Sequence, residues 1–174
     1  MDLSGSKWIF SEIETKTDQA VTMFKGLHEH TIDAKGRMSL PVRFREQLVA
    51  MAEPESEDVQ FILTTGIDRC LVLYPVKQWQ AFEEKLAGLS QFDPAVVAIR
   101  RIYLAGATEV TLDKNGRLLI PPMLREYAGF GRDVVWAGQG NTVELWGKAQ
   151  WKLQEETSRA DRQAVSAALA GLGL

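Results

Sequence analysis

The chain has 174 residues, of which 45% are apolar and 25% charged, a composition typical of a globular protein with a sizeable buried core. A single cysteine, Cys70, excludes an internal disulfide framework, and two histidines leave little for a transition-metal site. The net charge of −3 excludes a polycation that binds nucleic acid indiscriminately, and no apolar run reaches the roughly 20 residues of a membrane-spanning helix.

The first 22 residues resemble no other part of the chain and lack the apolar core of a secretory signal. We interpret residues 1–22 as a mobile N-terminal extension, or as the product of a start codon upstream of the one at Met23. In either case, the folded part is expected to begin at Met23.

A duplicated segment organises the rest of the chain. Residues 31–46 read TIDAKGRMSLPVRFRE and residues 111–126 read TLDKNGRLLIPPMLRE, with seven identical positions. A weaker match follows each copy, LVLYPVKQW at 71–79 and VELWGKAQW at 143–151. We therefore predict two modules of one kind. They cover residues 23–90 and 107–174, and a connector helix lies between them at 91–106.

Each copy contains the same turn signal. Aspartate stands first and glycine fourth in Asp33–Gly36 and again in Asp113–Gly116, the pattern of a type I turn. We expect Gly36 and Gly116 to adopt a positive φ and to close a tight hairpin through a G1 bulge. Asp33 and Asp113 are then turn-forming residues rather than ligands.

The remaining elements follow in the same order in both copies. Prolines after the second strand open a short helix, and two apolar runs form a further hairpin with turns at 65–69 and 138–141. A helix ends each module, and Asp93-Pro94 predicts the start of the connector helix. The fold class is α+β, with a β-β-α-β-β-α module repeated in tandem and helices on the outside.

Cationic side chains cluster at the two predicted turns. Lys35 stands at the third turn position and Arg37 directly after the glycine. Arg117 repeats Arg37, and Lys114 lies one position before the place that matches Lys35. A β-ribbon fits the DNA major groove, where arginine bonds guanine O6 and N7 and lysine contacts phosphate. The candidate DNA-binding residues are Lys35, Arg37, Lys114 and Arg117, with Lys25, Arg43 and Arg45 as further phosphate contacts.

Other interpretations of these residues stay open at this stage. Arg37 can equally pair with Asp33 across the turn, and Arg43 and Arg45 can belong to a solvated helix face. His28 and His30 alternate along one strand, but without a third ligand they favour packing at a surface or interface over a metal site. Trp79, Trp146 and Trp151 are expected in the core or at subunit contacts.

The segment MFKGLHEHTIDAKGRMSLPVRFREQL, with the second DKNGRLLIPP, resembles the MraZ family of bacterial transcriptional regulators. The resemblance covers about residues 23–170, and residues 1–22 depart from it. It implies two AbrB-like swapped-hairpin modules per chain and assembly into a ring. It also implies binding to repeated operator sequence near the protein's own promoter, which heads the division and cell-wall gene cluster. The expected location is the cytoplasm, at the nucleoid.

These observations predict a transcriptional regulator that binds direct repeats in double-stranded DNA as a homo-oligomer. A head-to-tail ring presents the same face in the same sense, which favours direct repeats over palindromes. The alternative is an oligomeric scaffold that binds another protein through the same hairpins, and it differs in lacking a steep salt dependence. We expect no catalytic residues, cofactor or small-molecule substrate, because no P-loop, nucleophile elbow or dinucleotide motif occurs in the sequence. For the reasons given above, we expect no metal and no membrane contact either.

Overall fold

A computed structural model describes residues 23–52 and 60–174. The prediction of a mobile extension over residues 1–22 lies outside these residues. None of the helices within the two described ranges is long and apolar enough to cross a membrane.

The elements follow the predicted order in both halves. The first half contains β1 (Leu27–Thr31), β2 (Arg37–Ser39), α1 (Val42–Met51), β3 (Gln60–Thr65), β4 (Leu71–Pro75) and α2 (Val76–Ala87). The second half contains β5 (Thr108–Thr111), β6 (Arg117–Leu119), α4 (Pro122–Ala128), β7 (Asp133–Gly138), β8 (Val143–Gly147), α5 (Lys148–Ala160) and α6 (Arg162–Leu172). Between them lies α3 (Pro94–Ile99), which continues into a π-helical turn over Arg100–Leu104. The α+β class is confirmed, with antiparallel sheets and six α-helices in the described ranges.

The two halves exchange strands. The larger sheet has the order β1-β7-β8-β4-β3-β5, so β1 of the first half pairs with β7 of the second, and β5 pairs with β3. β2 and β6 form a separate two-stranded ribbon. The turn between β1 and β2 forms as predicted, but the two strands that it joins enter different sheets. The expected hairpin is therefore limited to the turn, and each half completes its sheet with strands of the other.

The later hairpins are confirmed as predicted. β3 pairs with β4 and β7 with β8, in antiparallel registers that place Leu63 opposite Leu73 and Trp136 opposite Leu145. Because β4 also pairs with β8, the two hairpins form the centre of the larger sheet.

Two helical predictions need adjustment. The connector helix begins at Pro94, where the Asp93 carboxylate accepts from Ala95 N at 2.8 Å, and is shorter than residues 91–106. The C-terminal helical segment is divided at Asp161, whose carboxylate accepts from Ala164 N at 2.9 Å and caps α6. In both places an aspartate supplies the acceptor that the first free backbone N–H groups of a helix require.

The core is shared by the two halves. Its fully buried side chains include Phe44, Leu63, Ile120 and Trp136, and Met38 and Leu118 of the ribbon pack into the same cluster. Trp79 and Trp146 are buried, and the half-buried Trp151 contacts Trp146 with ring centroids 5.9 Å apart, which confirms the packing role expected of these tryptophans. The shared core fixes the position of the ribbon, because the inner face of the ribbon is part of it.

Candidate nucleic-acid interface

The β2–β6 ribbon carries both predicted turns at opposite ends. Its register is Arg37↔Leu119, Met38↔Leu118 and Ser39↔Arg117, and it extends by hydrogen bonds from Leu40 N to Gly116 O (3.1 Å) and from Ile120 N to Gly36 O (2.8 Å). The ribbon thus pairs residues 36–40 with residues 116–120. Five residues of extended chain, with four steps of about 3.3 Å between them, separate its ends by about 13 Å.

The side chains of the ribbon alternate between core and solvent, as the pleat requires. Met38 and Leu118 point into the core, whereas Ser39 and Leu119 are exposed and the two arginines beside them are half-buried. Trp136 Nε1 donates to Ser39 O at 3.3 Å and connects the ribbon to the larger sheet. The outer face of the ribbon, formed by Arg37, Ser39, Arg117 and Leu119, is therefore held in place from beneath.

A network of hydrogen bonds on Asp33 builds the first turn. Its Oδ1 accepts from the backbone N–H groups of Lys35 and Arg37, both at 2.9 Å, and Asp33 N donates to Arg37 O. Gly36 N donates to Asp33 O, with Gly36 at φ +84°. These bonds are those of the predicted type I turn with a G1 bulge.

The second turn repeats this arrangement. Asp113 Oδ1 accepts from Asn115 N at 2.8 Å and from Arg117 N at 3.0 Å, and Gly116 has φ +71°. The backbone hydrogen bond from Arg117 lowers the pKa of Asp113, as that from Arg37 lowers the pKa of Asp33, below the ordinary value of 3.8. Both carboxylates are therefore ionised at neutral pH.

Arg37 and Arg117 pair with these carboxylates through one edge of the guanidinium group. Arg37 Nε lies 2.8 Å from Asp33 Oδ2, and Arg117 Nε lies 3.0 Å from Asp113 Oδ2. Within the part of the chain that the structure describes, the Nη atoms of both arginines make no hydrogen bond. The pairing across the turn, one of the two interpretations of Arg37, thus leaves the Nη groups available to donate. Both side chains are more than a third exposed.

The other predicted residues differ in their distance from the turns. Lys35 and Lys114 are exposed on the turns themselves, and Arg43 is exposed in the first turn of α1, which follows the ribbon directly. Arg45 is half-buried against the second turn, since a Cβ at Gly116 would lie 2.1 Å from its Nη1. Lys25 precedes β1 and lies at the end of that strand opposite the turn, so the structure does not bring it together with the others.

Arg125 occupies a position that our prediction did not include. A Cβ at Gly36 would lie 2.7 Å from Arg125 Cζ, and the buried Nε of Arg125 has no hydrogen-bond partner. Arg125 is the repeat equivalent of Arg45, and this identity in the duplicated segment was the signal that could have found it. The arginine of each module therefore covers the turn of the other module.

The two histidines of β1 do not form a metal site with their neighbours. His28 packs edge-on against Phe44, with ring centroids 4.9 Å apart. Burial and the nearby His28 lower the pKa of His30 below 6.5. Over residues 23–52 and 60–174 there is no group of three His, Cys, Asp or Glu side chains that could hold a metal ion.

Comparison with known proteins identifies the family. A family model described as "MraZ protein, putative antitoxin-like" matches residues 23–102 and again residues 103–172. Proteins named "Transcriptional regulator MraZ" are similar over most of their length. That of Coxiella burnetii (strain RSA 493 / Nine Mile phase I) is 45% identical over 139 residues, covering 80% of this chain and 86% of the relative.

Two further relatives with the same name extend the match. That of Thermomicrobium roseum is 43% identical over 150 residues, covering 86% of this chain and 99% of the relative. That of Acetivibrio thermocellus is 40% identical over 152 residues, covering 87% of this chain and 100% of the relative. The name that these relatives share describes a transcriptional regulator rather than an enzyme, in agreement with the prediction made from the sequence. The duplicated turns, the strand exchange and these matches together place the chain in the MraZ family, with two family domains in tandem.

Proposed function

We propose that this protein is a sequence-specific DNA-binding transcriptional regulator. It acts as an oligomeric ring on direct repeats upstream of its own operon, which contains division and cell-wall genes. The observation that carries the proposal is the outer face of the β2–β6 ribbon, where the side chains of Arg37 and Arg117 are each more than a third exposed and pair with a carboxylate through Nε alone. The names of the relatives support the regulatory role.

The dimensions of the ribbon fit the major groove. That groove is about 12 Å wide and admits a two-stranded β-ribbon. The separation of about 13 Å between the turns corresponds to about four base pairs at a rise of 3.4 Å. Both arginines of one subunit can therefore meet base edges within half a turn of the duplex, while Lys35, Lys114 and Arg43 neutralise flanking phosphates.

The swapped-hairpin interpretation explains why the two turns act together. Each sheet contains strands of both halves, and Arg45 and Arg125 each cover the turn of the other half. A turn that is held by the opposite module cannot move independently of it. The two modules thus present one rigid reading surface, which lowers the conformational entropy lost when the surface docks on DNA.

The ring accounts for affinity and for the choice of direct repeats. One subunit makes few phosphate contacts, so firm binding requires several subunits on one DNA. The helix α6 exposes Val165, Leu169 and Leu172 at helical spacing, an apolar stripe that a neighbouring subunit would cover. A head-to-tail arrangement then presents the ribbons in one sense along the DNA.

Fluorescence anisotropy with duplex DNA from immediately upstream of the protein's own reading frame tests the proposal. Duplexes with one, two and three repeats should bind with increasing affinity, and the logarithm of the association constant should fall linearly with the logarithm of salt concentration. The double substitution Lys35→Ala, Arg37→Ala should abolish binding and leave the oligomer size in sedimentation unchanged. Lys85→Ala and Lys152→Ala, which remove exposed charges elsewhere, are the matched controls.

Three results would contradict the proposal in different ways. Equal affinity for all three duplexes removes the multivalent ring from the mechanism. Unchanged DNA binding by the double variant would show that the two turns take no part in DNA recognition. Binding that does not respond to salt favours the protein-binding scaffold.

A further inference from the structure

The two ends of the ribbon share one backbone frame but present different side chains. The pair Met38↔Leu118 lies at the centre of the ribbon, and the two halves are related about it by the antiparallel register. Asp33 and Asp113 form the same kind of turn. The Nε–Oδ2 distances to their paired arginines, 2.8 and 3.0 Å, differ by only 0.2 Å. A frame of this kind with identical side chains would read a palindromic sequence.

The outward side chains break this symmetry at three places. The second turn position is Ala34 in the first half and Lys114 in the second, and the third is Lys35 and Asn115. The last strand residue is Ser39 in one half and Leu119 in the other, and both are exposed. Only the arginines are the same at both ends of the outer face.

Asn115 differs from Lys35 in what it can recognise. The backbone N–H of Asn115 donates a hydrogen bond to Asp113 Oδ1 at 2.8 Å, while the side chain of Asn115 is exposed at the turn. A carboxamide donates and accepts at once, which matches N7 and N6–H of adenine in the major groove. The lysine ammonium only donates, which suits guanine or phosphate.

Leu119 adds a second difference. It lies directly across the ribbon from Arg37 and is 54% exposed. An apolar side chain on a face that meets the major groove contacts the thymine methyl group. At the equivalent place beside Arg117 the ribbon presents Ser39, which has a hydroxyl group and no comparable apolar surface.

We propose that Asn115 and Leu119 are specificity-determining residues, and that they make the base sequence read by one subunit non-palindromic. This inference rests on the proposed function. A non-palindromic site gives each subunit a defined direction on the DNA. The backbone of the ribbon alone does not provide this direction, because its two halves are nearly equivalent. Subunits arranged head to tail then require operator repeats that all point the same way.

A symmetrised variant tests the inference. The triple substitution Ala34→Lys, Lys35→Asn, Ser39→Leu gives the first half the outward residues of the second, and all three positions are exposed. Assembled wild-type and variant proteins are each used to select sites from a duplex library with a random central segment. Affinities are then measured for each single base-pair change in the selected site.

The wild-type profile should differ between the two halves of a repeat, with each disfavoured base pair weakening binding roughly fivefold to a hundredfold. The symmetrised profile should be palindromic. Asn115→Ala should lose discrimination at one or two adjacent base pairs, and Leu119→Ala at different ones. Asn141→Ala and Leu153→Ala remove the same side chains at other exposed positions and should leave the profile unchanged.

A palindromic wild-type profile, or a triple variant that keeps the wild-type profile, overturns the inference. In both cases salt-dependent DNA binding would persist, so the proposed role as a DNA-binding regulator would stand. A uniform loss of affinity in Asn115→Ala, with discrimination retained, also overturns the assignment of that residue. If the wild-type protein selects no sequence and binds DNA without salt dependence, the proposed function and this inference both fail.

Discussion

Gly116→Ala tests whether the second turn is held in the conformation that presents Arg117. Gly116 has φ +71°, a left-handed conformation that destabilises a residue with a Cβ by about 1–2 kcal/mol. The new Cβ would also lie 2.1 Å from Arg45 Nη1, so the guanidinium group must move. Because that group is the end of a flexible side chain, its movement adds little to the loss of stability but uncovers the turn.

The free energy of unfolding should therefore fall by about 1–2 kcal/mol, and Tm by about 2–8 °C for a chain of this size. Gly36→Ala should lose at least as much, because its φ is +84° and its Cβ would lie 3.0 Å from the backbone oxygen of Ile120. Gly131→Ala is the matched control, since no atom lies within 4 Å of its Cβ position.

Thermal unfolding followed by tryptophan fluorescence measures these differences, at one protein concentration because assembly shifts Tm. DNA affinity is measured on the same samples below the transition, where Gly116→Ala should bind more weakly than Gly131→Ala. Equal melting temperatures for Gly116→Ala and Gly131→Ala would refute the reasoning, because they would show that the turn tolerates a side chain.

Two further predictions concern titratable groups. The folded-state pKa of Asp33 and Asp113 is depressed, so their stabilisation is present above the ordinary value of 3.8 and lost as pH falls through the folded value. The Tm difference between wild type and the double variant Asp33→Asn, Asp113→Asn should be largest near neutral pH and shrink below about pH 4; a constant difference would contradict the assignment. Burial raises the pKa of the Cys70 thiol to about 12, so a thiol reagent at neutral pH should label Cys70 far more slowly in the folded protein than in urea. Equal rates would show that the site opens readily.

The turns could be predicted from the sequence because their causes are local. Asp33 bonds backbone groups two and four residues away, and Gly36 supplies the positive φ that closes the same turn. Asp93 caps its helix within two residues. Interactions over such short separations depend on the order of residue types alone, and the duplication made the turn signal visible twice.

The choice of strand partners was decided only in the tertiary structure. β1 pairs with β7 of the other half rather than with β2, its neighbour along the chain. The two halves repeat the same order of apolar and polar positions, so residue pattern does not distinguish a partner strand within a module from one in the other module. The contacts of Arg45 and Arg125 with the opposite turns follow from that exchange. Local sequence therefore determined the shape of each turn, whereas packing between the two halves decided where the turns lie and what holds them.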